Sequence, residues 1–385
     1  MPNRTAFGIM EKIGSGETAD ASGRLEQGEG EPMNSSEIAK LAQVSRATVS
    51  HVLNGHPNVS AKTRAKVEAV MREHNYFPNE AARKLVGKNS RFFALFLIDF
   101  SSKPNEYTIM RSPFFHEFVG YAIDIANKHH YHLVTTVIRQ DNLNDIDQLF
   151  QSGSIAGGII LGDILSQKML AHIASCGYKL ALCHQVRRSP APNILVINQD
   201  NYKFGQIAAE AFLAKGHTQL AHITGESYRV AVQDRLEGFV HALTARGIPF
   251  DGEHYLTYGE FYPSNSAYET AYRFLERNRD RLPTGIFLAS AMMRMGAVQA
   301  ILDFGLRIPE DISLIVLDDA NVEQASHAPI SAVTASPGRY AMLAIEKLIE
   351  LVEDRPLPAR EFMIPDCELV SRGSVRDLTL REAGE

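Results

Sequence analysis

Hydrogen-bonding side chains occur at helical spacing between residues 45 and 53. The apolar members of this stretch, which would face inward, are Val49, Val52 and Leu53. The outward positions would then be Ser45, Arg46, Ala47, Ser50 and His51. Guanidinium, hydroxyl and imidazole groups can hydrogen-bond to base edges in the major groove of DNA. The stretch therefore predicts base recognition, and the alternative is an ordinary solvated helix face.

Three short helices are predicted to position these side chains. Each begins at a residue that can accept hydrogen bonds from free backbone N–H groups, namely Asn34 (with Glu37 completing the pattern), Ser45 and Ser60. The inward face would consist of Ile38, Leu41 and Ala42 in the first helix. It would consist of Val49, Val52 and Leu53 in the second helix, and of Val67, Val70 and Met71 in the third. Two short helices joined by a three-residue break and braced by a third are typical of a helix-turn-helix unit.

The segment 79–90 predicts a linker that contains a short helix. Pro78 ends the three-helix unit, and Asn79 can cap a two-turn helix over 80–85. A helix of that length is not stable alone in water. We therefore expect it to fold against a partner.

Charge divides the chain in the same way. The net charge is −6, yet residues 33–91 carry +6, residues 1–32 carry −3 and residues 92–385 carry −9. A basic module on an acidic body is expected where only one part of a protein meets phosphate. Residues 1–33, rich in Gly and Glu, are predicted to be a disordered tail, and Met33 is an alternative start of translation.

From residue 92 onward, apolar strands alternate with amphipathic helices. Strands are predicted at 92–100, 131–137, 155–161, 179–183, 220–224, 285–289 and 313–317. Helices are predicted at 114–127, 145–151, 167–176, 204–215, 235–245, 267–277, 294–304 and 339–353. This alternation predicts parallel sheets covered on both faces, arranged in two lobes. A ligand is expected where the carboxyl ends of the strands meet a cleft.

The chemistry-bearing motifs of common α/β enzymes are missing from the sequence. Residues 99–113 contain no Gly, so the dinucleotide-binding fingerprint cannot follow the first strand, and neither a G-x-S-x-G elbow nor a Walker motif occurs. Cys176, Cys183 and Cys367 are scattered and suggest reduced thiols, while His129, His130 and His132 would diverge around a helix end. We therefore expect no catalytic residues, cofactor or metal.

The sequence also limits the location of the protein. No apolar run is long enough to cross a membrane, and no secretory signal is evident, so a cytoplasmic protein is expected. An α/β enzyme and a solute-binding protein stay as alternatives.

The run from Glu37 to Gly55, EIAKLAQVSRATVSHVLNG, closely resembles the headpiece of the lactose-repressor (LacI/GalR) family. The following segment is also similar, with Tyr76-x-Pro78-Asn79 and Ala82-Arg83-x-Leu85. Weaker motifs continue in the family's order, at Ser112–Phe115, Gly157–Ile160, Gln199–Asn201, Arg235–Gly238, Ile308–Asp311 and Leu317–Asp319. The resemblance covers residues 34 to about 373.

The resemblance implies a small all-α helix-turn-helix headpiece and a two-lobed α/β body like a periplasmic binding protein, with parallel sheets. The implied boundaries are headpiece 34–78, hinge helix and linker 79–90, effector-binding and dimerisation domain 91–373, and C-terminal tail 374–385. The implied function is a transcriptional regulator, a repressor by analogy, that binds a palindromic DNA operator as a homodimer under control of a small-molecule effector. Residues 376–385 hold no leucine heptads, which favours a dimer over a coiled-coil tetramer.

Site residues follow from the same resemblance. The outward positions of the second helix would enter the major groove. The hinge residues Asn79, Ala82, Arg83 and Leu85 would enter the minor groove, where Leu85 would wedge open a base step. Phe114, Arg235, Ser290 and Asp318 would contact the effector, although Leu85 could instead be a packing residue and Arg235 with Asp318 a structural ion pair.

Three departures bear on specificity. His51 stands where the family often has Arg, which changes the base preferred there. The loop between Asp99 and Pro113 is longer than usual, and Ser290 and Ala291 occupy the places of an Asn-Asp pair found in sugar binders. The effector is therefore open between a sugar or related metabolite and a non-sugar corepressor.

Overall fold

A computed structural model describes residues 33–53, 56–74, 76, 90–99, 112–139, 144–162, 166–184, 186–259, 264–317 and 329–380. The chain divides into two compact units, residues 1–86 and 87–385. The predicted tail over 1–32, the hinge residues Asn79, Ala82, Arg83 and Leu85, and Asp318 lie outside the described residues.

The first unit contains the three predicted helices, α1 (Ser35–Leu41), α2 (Arg46–Leu53) and α3 (Ala61–Glu73). Asn34 and Glu37 form a reciprocal capping box at α1, and Ser45 and Ser60 accept from Thr48 N and Thr63 N. The buried cluster between the helices consists of Ile38, Ala39, Ala42, Val49, Val52 and Val67.

The prediction that Leu41 faces this cluster was wrong, because Leu41 is 47% exposed and Ala39 takes its place. Each residue advances a helix by roughly 100°. The buried face of α1 centres between Ile38 and Ala39, which turns Leu41 toward solvent.

The second unit consists of two lobes, each with a six-stranded sheet. The N-lobe sheet has the order β11-β5-β4-β3-β1-β2, and every pair is parallel. Its strands are β1 (Phe92–Asp99), β2 (His132–Arg139), β3 (Gly157–Leu161), β4 (Leu180–Cys183), β5 (Ile194–Gln199) and β11 (Glu361–Ile364). Its helices are α4 (Pro113–Lys128), α5 (Asn144–Gln151), α6 (Gln167–Ser175) and α12 (Pro337–Val352). Separate buried clusters cover the two faces, one under α4 and α12 and one under α5 and α6.

The C-lobe sheet has the order β12-β10-β9-β8-β6-β7, with β12 antiparallel to β10. Its strands are β6 (Leu220–Thr224), β7 (Leu256–Tyr258), β8 (Gly285–Leu288), β9 (Ser313–Leu317), β10 (Ser331–Ala335) and β12 (Cys367–Val370). Its helices are α7 (Asn201–Leu213), α8 (Val230–Ala245), α9 (Gly252–Tyr255), α10 (Ser264–Arg277) and α11 (Ala291–Asp303). The chain passes between the lobes at 199–201, 335–337 and 364–367. The predicted class, two α/β lobes with mostly parallel sheets, is confirmed.

Two features of the body were not predicted. The strands β5, β7, β10, β11 and β12 were not predicted, because most are short and β5, β11 and β12 include polar residues in the strand. Residues 374–380 pack on the C-lobe, where buried Ser374 donates to Leu314 O and Lys215 pairs with Asp377 at 2.8 Å. The predicted C-terminal tail therefore contacts the C-lobe over residues 374–379. Over the described ranges, no helix combines the length and the apolarity needed to cross a membrane.

Two glycines allow α7 and α8 to touch backbone to backbone. A Cβ at Gly205 would overlap the carbonyl oxygen of Arg235, and a Cβ at Gly238 would overlap that of Tyr202. The close approach places Arg235 within reach of α7.

We predict that Gly238→Ala destabilises the body by about 1–3 kcal/mol, because the helices must separate to admit the methyl group. The matched control is Gly120→Ala in α4, where a Cβ meets nothing within 4 Å and should stabilise the helix by about 0.5–1 kcal/mol. Denaturant unfolding of both variants measures the difference. Equal stability of the two variants would contradict the packing described here.

Candidate functional sites: the outer face of α2 and the interlobe cleft

The five predicted positions on α2 and its cap are all exposed. Val49 and Val52 are buried, whereas Ser45, Arg46, Ala47, Ser50 and His51 face solvent. The cluster under α2 thus leaves one polar and basic face exposed to solvent within the described part of this unit. The structure brings these five residues onto one surface, as the spacing predicted.

Short contacts fix that surface. Arg46 Nε donates to Ser35 Oγ at 3.3 Å, so its guanidinium also braces the first turn of α1. The His51 ring stacks on the His56 ring, with the ring centroids 4.8 Å apart. Arg64 of α3 donates to the carbonyl oxygens of Val52 and His56, which holds the end of α2 against the third helix.

A second site lies where strand ends from both lobes meet. A cavity of about 140 Å³ is lined from the N-lobe by Gly162, His184 and Gln199, which follow or end β3, β4 and β5. From the C-lobe it is lined by Ala289, Ser290 and Leu317, at the ends of β8 and β9. The carboxyl ends of parallel strands are the expected ligand-binding edge.

Three of the four predicted effector residues line this cavity. Phe114 forms an apolar wall, with its ring 5.5 Å from His184 and 6.1 Å from Tyr340. Ser290 is half-buried, and its hydroxyl accepts from Met292 N as the cap of α11. Arg235 is only 6% exposed, and Asp318, the fourth residue, lies outside the described residues.

Two hydrogen bonds that span the C-lobe hold Arg235. Its guanidinium donates to Ala289 O at 2.6 Å and to Asn201 Oδ1 at 2.7 Å. One bond reaches the end of β8 and the other reaches the first residue of α7. The side chain therefore shapes the cleft wall before any ligand arrives.

His184 and Arg229 also line the cleft, and neither was predicted as an effector contact. His184 has a left-handed backbone with φ 63°, and burial together with the Arg235 charge lowers its pKa to about 3. Arg229 is 6% exposed and pairs with Glu226 at 2.8 Å. The position of His184 directly after a predicted strand was the available signal, since that is the edge where ligands bind.

Below the cleft, β6 carries buried polar atoms. His222 is fully buried between the rings of Phe239 and Phe287, and its Nδ1 lies 3.1 Å from Phe287 O. Its Nε2 and the hydroxyl of Thr224 are buried and find no hydrogen-bond partner among the described residues. Desolvation lowers the pKa of His222 to about 3, so the ring is neutral.

Known protein families match parts of both units. A profile described as bacterial regulatory proteins, lacI family, matches residues 36–79, and one described as a periplasmic binding protein-like domain matches residues 209–375. A probable HTH-type transcriptional repressor, ExuR, of Bacillus subtilis is 30% identical over 350 residues, covering 89% of this chain and 98% of the relative. The HTH-type regulator CelR of Thermobifida fusca is 28% identical over 343 residues, covering 84% of this chain and 96% of CelR.

Solved structures agree with the fold. A lac repressor dimer bound to operator and the anti-inducer ONPF superposes with a TM-score of 0.72 at 24% identity, covering 90% of this chain and 100% of that one. A CelR–cellobiose complex superposes with a TM-score of 0.65 at 22% identity, covering 89% and 99%. The chain belongs to the LacI family of bacterial regulatory proteins, and it is a DNA-binding transcriptional regulator.

We predict an acid sensitivity that traces to His222. Its pKa is lowered from 6.5, so the unfolded chain takes up a proton below pH 6.5 that the folded chain refuses until about pH 3. Stability is therefore complete above pH 6.5 and falls as the pH drops, by up to about 1.4 kcal/mol per pH unit for one such group.

His222→Gln should make this pH slope shallower by the contribution of one group, whatever its effect on stability at pH 7. His184, whose pKa is also lowered to about 3, keeps its own contribution. The exposed His116, changed to Gln, is the matched control and should keep the wild-type slope. Urea unfolding between pH 4.5 and 7.5 measures both. A wild-type slope in His222→Gln would contradict the assignment.

Proposed function

We propose that this regulator binds a palindromic operator as a homodimer, with α2 of each subunit in the major groove. The single observation that carries this proposal is the outer face of α2, where five exposed positions are backed by a buried cluster and braced from α1 and α3. Arg46, Ser50 and His51 supply the hydrogen-bonding groups, and Ser45 and Ala47 approach the groove at the start of the helix. In helix-turn-helix proteins, the second helix presents its first turns to base edges in the major groove.

The minor-groove part of the proposal concerns the segment 79–90. We infer that Asn79, Ala82, Arg83 and Leu85 form a hinge helix on DNA, in which Leu85 wedges between base pairs and Arg83 faces the narrow groove. The family resemblance of Ala82-Arg83-x-Leu85 supports this, as does the division of the chain between residues 86 and 87. The proposed parts are thus headpiece 34–78, hinge 79–90 and a body from 91.

We propose the interlobe cavity as the effector site, with Phe114, Arg235 and Ser290 as contacts, and the family resemblance adds Asp318 as a fourth contact. Its lining combines apolar walls with the polar groups of Arg235, His184 and Gln199, as a small polar metabolite requires. CelR has been solved with cellobiose, which favours a sugar or related metabolite. Ser290 and Ala291 in place of an amide and a carboxylate favour a non-sugar corepressor instead.

The remaining parts of the proposal concern enzymatic activity and cellular location. We propose that the protein is not an enzyme, because its curated relatives are transcriptional regulators and the cleft residues have binding roles. A regulator of DNA in a bacterium acts in the cytoplasm, and that location is proposed here.

We predict that Arg46→Ala lowers operator affinity by about 1–3 kcal/mol and relaxes selection at one base pair in each half-site, because a bidentate base contact is lost. Two controls separate recognition from bracing. Ser35→Ala removes the partner of Arg46 in α1 but should leave base preference unchanged, and Arg72→Ala removes an exposed charge from the end of α3. Selection of bound sequences from a random library, followed by fluorescence anisotropy, measures all three.

A uniform loss across all sequences would make Arg46 a phosphate contact instead. Identical effects of Ser35→Ala and Arg46→Ala would assign Arg46 to bracing of α1.

We predict that Arg235→Lys abolishes the effector response while operator affinity without effector stays within about twofold of the wild type, since lysine keeps the charge but cannot fork onto two acceptors. A thermal-shift screen of the full chain against neutral sugars, carboxylated sugars and heterocyclic bases first identifies the effector. Anisotropy with and without that compound then tests the variant. An intact response in Arg235→Lys would remove Arg235 from the effector site.

A further inference from the structure

Helices α5 and α6 bring three different metal-binding side chains together on the outer side of the N-lobe. Asp147 comes from α5, His172 lies on α6 and Cys176 is the residue that caps α6. One ligand atom from each lies within 4.8 Å of the others, and all three residues are half-buried. His172 and Cys176 are four residues apart, a spacing that places two ligands on one face of a helix.

The distances approach those of a tetrahedral site. His172 Nε2 lies 3.0 Å from Asp147 Oδ2, and Cys176 Sγ lies 3.5 Å from His172 Nε2. Zinc bonds of about 2.0 Å to oxygen and nitrogen and 2.3 Å to sulfur place tetrahedral donors about 3.3–3.6 Å apart. A metal ion would take the place of the proton that Asp147 and His172 now share, with a modest movement of Cys176 toward Asp147.

An outer shell already orients the carboxylate. Tyr178 OH donates to Asp147 Oδ1 at 2.9 Å, and its ring stacks on Phe150 with centroids 4.2 Å apart. Hydrogen-bond donors that orient a metal ligand commonly contribute about 10–100-fold to metal affinity, and we expect an effect of this order from Tyr178.

We propose that Asp147, His172 and Cys176 bind a zinc-class divalent cation, with solvent in the fourth position. The mixed oxygen, nitrogen and sulfur donor set favours zinc or another borderline transition metal over magnesium or calcium. His172 and Asp147 keep 40% and 22% side-chain exposure, which leaves an entry path for the ion. No metal was expected from the sequence, because its cysteines form no closely spaced pair and the His129 group diverges. Asp147 is brought to His172 and Cys176 from a separate helix.

The ion would cross-link the two helices that flank β3. The chain enters the body just before β1. Ser90 at this point donates to Ser154 O at 2.7 Å, which ties it to the loop directly after α5. Metal occupancy would therefore stabilise the entry point of the N-lobe sheet.

The test is a titration of the full-length protein, freed of metal by chelation, with Co²⁺ as the spectroscopic probe. We expect a near-ultraviolet sulfur-to-cobalt charge-transfer band that saturates at one equivalent and is displaced by Zn²⁺. Cys176→Ser should lose the band, whereas Cys367→Ser, which changes the other half-buried cysteine, should keep it. Zn²⁺ should raise the Tm of the wild type but not that of Cys176→Ser.

Two further variants keep the thiol and separate ligand from support. Tyr178→Phe should retain the band with about tenfold weaker binding, and His172→Ala should bind more weakly still. Circular dichroism confirms that each variant is folded. Absence of a saturable band in the wild type, or a band that survives Cys176→Ser or disappears in Cys367→Ser, would overturn the site and leave a hydrogen-bonded contact between two helices.

Discussion

The buried guanidinium of Arg235 is the interaction on which the cleft depends. It can reach Asn201 because Gly205 and Gly238 let α7 and α8 meet backbone to backbone, and it reaches Ala289 at the end of β8. A charged group this deep is costly unless its donors are used. The same contacts that stabilise the C-lobe therefore hold a cation at the edge where strand ends of both lobes converge, which is where an effector would be sensed.

In the headpiece, hydrogen bonds also hold a polar surface in place, over a smaller buried cluster. Its small buried cluster cannot hold α2 rigidly by apolar area alone, so capping by Asn34 and Ser45 and the two carbonyl contacts of Arg64 add to it. In both units, hydrogen bonds to backbone atoms fix a polar surface over an apolar base. The polar surface faces outward on the headpiece, whereas in the body it lines the cleft between the strand ends.

The sequence predicted those features that depend on local pattern. The caps at Asn34, Ser45 and Ser60, the outward face of α2 and the long buried strands of the body all follow from periodicity and hydrogen-bonding type. Features that depend on distant partners were missed. The short strand β11 pairs with β5 from far along the chain, and Asp147 meets His172 and Cys176 only through the packing of α5 on α6. The prediction for Leu41 was wrong because the buried face of α1 centres between Ile38 and Ala39.

The central claim is that the outer face of α2 reads bases in the major groove of a two-fold symmetric site. Dimethyl sulfate footprinting tests it most directly, on a DNA fragment selected by the full-length protein, because the reagent methylates guanine N7 in the major groove and adenine N3 in the minor groove. The account predicts guanine N7 protection in two symmetric half-sites, with changed adenine reactivity at the centre. Protection confined to the minor groove, or spread uniformly without symmetry, would contradict it.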